Sequence, residues 1–216
     1  MMANRARRVW AALVLLSLSV TACSTGDDVA EKGQVASEVC GGFAAEPAAA
    51  SALEAIAGKG VLLTSDQSEP DRGLGELRKA TETPQSGKSF MKGVPFCVLE
   101  AAPGEQNILT ITVREALAVP SDDAGKEFVT FYSSGLLASS SDLHASIYFM
   151  CRMKEPAHGI VIEAGLERAD ENEADRVGIR EGQITLANAA ARHVAAALGC
   201  TGTGLVERVP AEVPRS

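Results

Sequence analysis

Aromatic side chains are scarce: one Trp, two Tyr and six Phe in 216 residues, the Trp being Trp10 near the start of the chain. Sugar sites and single-stranded nucleic-acid sites lean on exposed aromatic platforms, so a glycan lectin is disfavoured. Positive charge is also short, with 20 Lys and Arg against 28 Asp and Glu for a net −8. Such a surface repels phosphate backbones and excludes nucleic acid as a partner. It equally disfavours a peripheral grip on anionic headgroups by charge alone. Closely spaced cysteine pairs are missing, which argues against structural zinc. There is no HExxH, no GxSxG elbow and no transpeptidase-type SxxK. Gly87-Lys88-Ser89 ends like a phosphate-binding loop, but Glu82 stands where the leading glycine is required. Asp170, Asn172 and Glu181 fit three positions of a calcium loop, yet Ala174 and Asp175 occupy the fifth position and the obligatory glycine position. That stretch reads as a solvated acidic linker. The chain thus predicts no metal, no cofactor and no catalytic constellation.

What is present begins with an address. Arg5, Arg7 and Arg8 precede an apolar run from Val9 to Leu18 and then small residues up to Cys23. The run is too short for a membrane span, which needs about twenty apolar residues, and has the layout of a secretory signal. Val20-Thr21-Ala22-Cys23 resembles the bacterial lipobox: an aliphatic residue, two small ones and a cysteine. The resemblance implies a diacylglycerol on the Cys23 sulfur and cleavage after Ala22. Loss of the three leader arginines leaves 17 basic residues against 28 acidic ones, or −11. Residues 1–22 are then signal peptide and residues 23–37 a polar tether. Residues 38–209 are expected to form one folded domain, with 210–216 a disordered tail.

Removing Cys23 from the five cysteines leaves Cys40, Cys97, Cys151 and Cys200, an even number in an exported chain. Two disulfides are the economical reading, and sequence alone permits three pairings.

Periodicity supplies the elements. Pro47 to Ala57 has Pro in the first turn, Ala49, Leu53 and Ile56 at helical spacing, and Gly58 as a stop. A weaker helix spans Asp71 to Ala80, with Leu74 and Leu77 inward and Gly73 and Gly75 against it. Val94–Glu100 and Asn107–Glu115 read as a hairpin, Leu109, Ile111 and Val113 alternating with Ile108, Thr110 and Thr112. Phe128 to Tyr132 is a third strand. Ala145–Met153 and Gly159–Glu167 form a second hairpin. The last helix carries Ile184, Ala187, Ala191, Val194 and Leu198 on one stripe and stops at Gly199. Phe96, Phe128, Phe131, Tyr148 and Phe149 are assigned to packing. The order predicts an α+β fold, mainly an antiparallel sheet of hairpins with helices on one face.

Each hairpin has a Cys in its first strand and an Arg 17 residues later, Cys97 to Arg114 and Cys151 to Arg168. Similarity elsewhere is poor, so a duplication is not the favoured reading. The pattern nevertheless suggests Cys40 with Cys97 and Cys151 with Cys200.

Chemistry is thinly represented. His144, His158 and His193 have no short-range partners, and His193 falls beside the apolar stripe as a helix-surface residue. The serines of Tyr132 to Asp142 read as a surface loop, with a recognition loop as the sharper alternative. If the chain were a hydrolase, Ser133, Ser134, His144 and His158 would be the first residues to test.

Cys23, the CGGF at Cys40, FCVLE around Cys97, MCRM at Cys151 and the closing ANAAARHVAAALGC together resemble exported lipoproteins of high-GC Gram-positive actinobacteria, Streptomyces-like, with a four-cysteine ectodomain. The resemblance implies anchoring to the outer leaflet of the cytoplasmic membrane and supplies no catalytic residue. The reading that follows is a non-enzymatic binding or accessory module whose partner is an envelope protein or a small molecule. A cell-envelope hydrolase and a purely structural envelope protein are the alternatives.

Overall fold

In the computed structural model the described residues are 33–82, 92–102, 106–121, 128–154, 157–169 and 176–214. The lipobox with Ala22 and Cys23, Gly87-Lys88-Ser89 and the acidic stretch 170–175 lie outside them.

The strands alternate as their sequences require. β1 (Leu63–Thr64), β2 (Val94–Ala101), β3 (Gln106–Ala116), β4 (Thr130–Tyr132), β5 (Leu137–Ser140), β6 (His144–Cys151) and β7 (Ile160–Arg168) form one antiparallel sheet. Its order is β1-β2-β3-β7-β6-β5-β4. The register puts Leu109, Ile111 and Val113 on the same face as Ile162, Ala164 and Leu166, and as Ala145, Ile147 and Phe149. These side chains are buried and form the core with the helices. The opposite face carries Thr110, Thr112, Glu163, Gly165, Ser146 and Tyr148 in adjacent strands. That face is the wet one the alternation predicts.

Three helices lie on the apolar side, α1 (Pro47–Ala57), α2 (Pro70–Glu82) and α3 (Arg176–Leu198); α2 and α3 pack on the sheet, and α1 packs on α3. In α2, Gly73 weakens helix propensity but serves packing. A Cβ there would lie 2.9 Å from Val113 Cγ2, closer than side-chain contacts allow. Gly73 therefore lets α2 approach β3, while Gly75 faces open space. α3 differs from the one-stripe expectation: every residue from Gln183 to Ala191 is buried. Its polar members are satisfied. Gln183 Nε2 donates to the Asp142 carbonyl at 2.8 Å, Asn188 Nδ2 donates to the Val206 carbonyl at 2.8 Å, and Thr185 donates to the Glu181 carbonyl at 2.7 Å.

Two disulfides close the fold, Cys40 to Cys97 and Cys151 to Cys200. They suggest an oxidising, extracytoplasmic setting. No helix among the described residues is long and apolar enough to cross a membrane.

Several expectations need correction. The tether expected over residues 23–37 is shorter: Gln34 pairs with Leu63 and Ala36 is buried, so the fold begins earlier. The tail was drawn from residue 210, but Ala211 accepts a hydrogen bond from the Ser133 amide and the Val213 amide donates to the Phe131 carbonyl. This segment covers the otherwise open edge of β4, a common way to blunt a sheet edge. The serine-rich loop contains strand β5, with Ser134 and Ser140 buried. Hydroxyls mask that strand because they hydrogen-bond inward: Ser140 Oγ donates to Gln183 Oε1 at 3.4 Å, as Ser134 just before it does to Asn188 Oδ1 at 2.7 Å. Phe128 precedes β4 and is 67% exposed, so it does not pack in the core.

Candidate functional site

The serine and histidine candidates are not brought together. Ser134 lies on the helix side, bonded to Asn188, and its oxygen accepts from the Val206 amide at 3.3 Å. His144 sits on the opposite face of the sheet, with Nε2 3.8 Å from Glu167 Oε1. His158 lies in the β6–β7 connection, its amide donating to the Thr81 carbonyl at the end of α2. Ser133 faces solvent beside the C-terminal segment. No hydrogen bond joins either serine to either histidine among the described residues. Those residues likewise contain no group of three or more His, Cys, Asp or Glu able to hold a metal ion.

What the fold does build is a groove along the C-terminal half of α3. Its floor is Ala189, Arg192, His193 and Ala196. One wall is Gly42 to Glu46, the other Cys200 to Glu207, and the enclosed volume is about 540 Å³. A second, more open trough of about 1180 Å³ continues past Arg192 toward Pro47, Val206 and Val209, sharing Glu46, Arg192 and Glu207 with the first. Both volumes are in or just above the range of small-molecule sites.

Local chemistry explains each wall. The first follows the turn Val39–Gly42, where Cys40, Gly41 and Gly42 all have positive φ, at 48°, 76° and 79°. Two successive glycines tolerate this backbone at no steric cost, whereas Cys40 adopts it against the preference of a side-chain-bearing residue. The disulfide to Cys97 in β2 fixes the turn to the sheet. It also sets Phe43 edge-on to Phe96, with ring centroids 6.3 Å apart. The second wall leaves α3 at Gly199. Cys200, bridged to Cys151 at the end of β6, begins it. Asn188 then holds the carbonyl of Val206, and Ser134 its amide. Each wall therefore starts at one disulfide.

The polar groups are few. Arg192 crosses the groove, donating to Glu46 Oε2 at 2.7 Å and to the Glu207 carbonyl at 3.0 Å. Being partly exposed, that ion pair contributes on the order of 0–1 kcal/mol and can exchange partners cheaply. His193 packs at 5.8 Å against Phe96, and a Cβ on Gly41 would lie 3.7 Å from its Nε2. Burial holds its pKa below the ordinary imidazole value, so the ring is neutral at pH 7. A neutral imidazole offers one donor and one acceptor in the floor, beside Ala189 and Ala196.

On the wet face, Glu163 is buried beneath Arg114, whose Nε donates at 2.6 Å, and Ser146 Oγ lies 3.4 Å from its other oxygen. Burial, then the Glu163 charge, pushes the Tyr148 phenol up to about 12. This cluster is internally satisfied and has the character of a structural plug.

Sequence reading missed the groove because its residues come from both ends of the chain. Among its members the sequence singles out Cys200 as a disulfide cysteine, Gly42 and Phe43 only within the CGGF run, and His193 as a helix-surface residue. The CGGF run was the available signal: a cysteine followed by two glycines demands an unusual turn, and a disulfide fixes where that turn lies. No family model matches the chain, and no curated protein or solved structure matches it.

Proposed function

We propose that the protein is an extracytoplasmic lipoprotein, anchored through a lipid on Cys23, whose folded domain is a non-enzymatic binding module of the cell envelope. The observation that carries the binding reading is the groove beside α3, whose two walls each begin at a disulfide. A pocket held open by covalent bonds loses little entropy on binding, and such preorganisation favours affinity over chemistry. Its lining admits a small molecule or short peptide with an apolar body, seated between Phe43 and Leu205, and one polar end against His193 and Arg192. Among the described residues no hydrogen bond joins Ser133 or Ser134 to His144 or His158, which favours a binder over a hydrolase built on those residues. The lipid would hold the domain near membrane partners and raise its effective concentration there.

The test has two arms. Labelled fatty acid supplied to cells is expected on the wild-type chain and absent from a Cys23→Ala variant, which should be released or remain unprocessed. Thermal-shift screening against sugars, peptidoglycan fragments, amino acids and peptides is expected to yield a ligand whose shift disappears in Ala196→Trp, which fills the groove. Incorporation of fatty acid without Cys23 defeats the anchoring, and a ligand shift untouched by Ala196→Trp defeats the groove.

A further inference from the structure

The corner of the domain where the chain enters the fold is apolar. Gln34 pairs with Leu63 through two backbone hydrogen bonds, which places Val35 beside Leu62 across the bridge. Val35 is 48% exposed and Leu62 47% exposed, and Val61 adjoins them. Lys59 is exposed in the turn that follows α1, between Gly58 and Gly60. Exposed aliphatic residues thus gather beside a lysine at one place on a chain that is acidic overall.

The position of this corner identifies its occupant. Only nine residues lie between Cys23 and Gly33, where the described fold starts. Fully extended, they reach about 35 Å, so the corner cannot move far from a lipid on Cys23. α1 runs from the groove, at Glu46 to Ala48, to this corner at Gly58, and its 11 residues span about 16 Å. Resting the corner on a bilayer would keep the groove about one helix length away from it.

We infer that Val35, Val61, Leu62 and Lys59 form a membrane-docking corner, which seats the anchored domain on the lipid surface in one orientation. The inference rests on the lipid-anchored reading and goes beyond it by fixing which edge of the sheet meets the bilayer. Short linkers give effective concentrations in the millimolar range, so an intrinsic affinity too weak to recruit a free domain suffices once the anchor is in place. Aliphatic side chains at the headgroup boundary and a lysine reaching the phosphates are the usual elements of such contacts.

The chain has a single tryptophan, Trp10, which lies in the leader, so an introduced one reports alone in the processed protein. Leu62→Trp and Val61→Trp place the probe on the corner. Val213→Trp places it on a residue 44% exposed beside β4, at the other edge of the seven-stranded sheet. Six interstrand steps separate the edges by about 29 Å. Full-length lipidated protein is reconstituted in vesicles of equal parts phosphatidylglycerol and phosphatidylethanolamine, with and without lipids brominated along the acyl chain. Apolar residues at an interface lie about 5–10 Å deep, so emission from Leu62→Trp and Val61→Trp should fall by about half while Val213→Trp is unaffected. Lys59→Glu should weaken the quenching at Leu62→Trp. Equal quenching at both edges, or none at Leu62→Trp, overturns the inference. Intact mass of the same samples separates the two failures: a chain without lipid on Cys23 defeats the anchoring reading, whereas lipidated chain without corner quenching defeats the docking corner alone.

Discussion

The hairpins β2–β3 and β6–β7 share an interval of 17 residues from Cys to Arg and use it in opposite ways. Cys97 lies within β2 opposite Ile111, whereas Cys151 ends β6 opposite Ile160. A repeat offset by 54 residues would have set Cys151 opposite Gly165, five residues from where it lies. Arg114 consequently falls on the wet face over Glu163, and Arg168 falls in line with Ala164 and Leu166 on the helix side, where it is buried. Spacing along the chain therefore does not establish equivalence. Register does, because a shift by an odd number of residues turns a side chain to the other face.

That contrast is sharpest at the disulfides. They close intervals of 57 and 49 residues, so loop-closure entropy assigns each about 4 kcal/mol and differs between them by only about 0.1 kcal/mol. Replacing either pair by alanines is expected to lower unfolding free energy by about that amount in chemical denaturation. Melting points of the two double variants that differ widely would show that native-state packing, and not loop size, sets their worth.

Next in size are the arginines. Arg168→Ala should cost about 3 kcal/mol, because it leaves a cavity where a buried side chain packs and withdraws the Nη1 that lies 3.4 Å from the Asp142 carbonyl. Arg114→Ala should cost about 2 kcal/mol: the arginine itself is half exposed, but its loss leaves the buried Glu163 carboxylate without its cation, with Ser146 still nearby. Urea midpoints in the reverse order would contradict the assignment of faces.

Smaller still is a pair of opposite sign in α2. Gly73→Ala forces a methyl against Val113 and should destabilise by about 1–2 kcal/mol. Gly75→Ala meets nothing and should stabilise by about 0.5–1 kcal/mol. Thermal melts of the two variants read both signs directly.

The smallest effect is the pH dependence from His193. Its folded pKa lies below the unfolded value of about 6.5, so the unfolded chain takes up the proton first as pH falls. This contribution to stability is complete above about pH 6.5 and declines below it, levelling off once the folded ring also protonates. His193→Phe should flatten that part of the melting-temperature profile against pH, and an unchanged slope would remove His193 as its source.

Much of this architecture was legible in the sequence, and for physical reasons. Pro47 and Gly58 punctuate α1 at the ends observed. Leu109, Ile111 and Val113 alternate with hydroxyl and charged residues because one face of β3 is wet. The shared Cys-to-Arg spacing suggests the pairing that is found, although it reflects no structural repeat. What was not legible depends on distant contacts. β5 reads as a loop because its serines look like solvent-seeking residues until α3 supplies their partners. Pairing of Gln34 and of Val213 with the sheet edges is a tertiary event that local composition cannot announce. The groove is the extreme case, since residues near 43 and near 205 line one cleft through distant contacts, a disulfide for each wall and the bonds of Asn188 and Ser134 to Val206 for the second.

Hydrogen exchange measured by mass spectrometry on the two disulfide-deleted chains tests that last claim most directly. Loss of Cys40 and Cys97 is expected to raise exchange of amides 41–45 while 201–207 stay protected, and loss of Cys151 and Cys200 should do the reverse. Both walls loosening together in either variant, or neither loosening in both, would contradict a groove whose two walls are held independently.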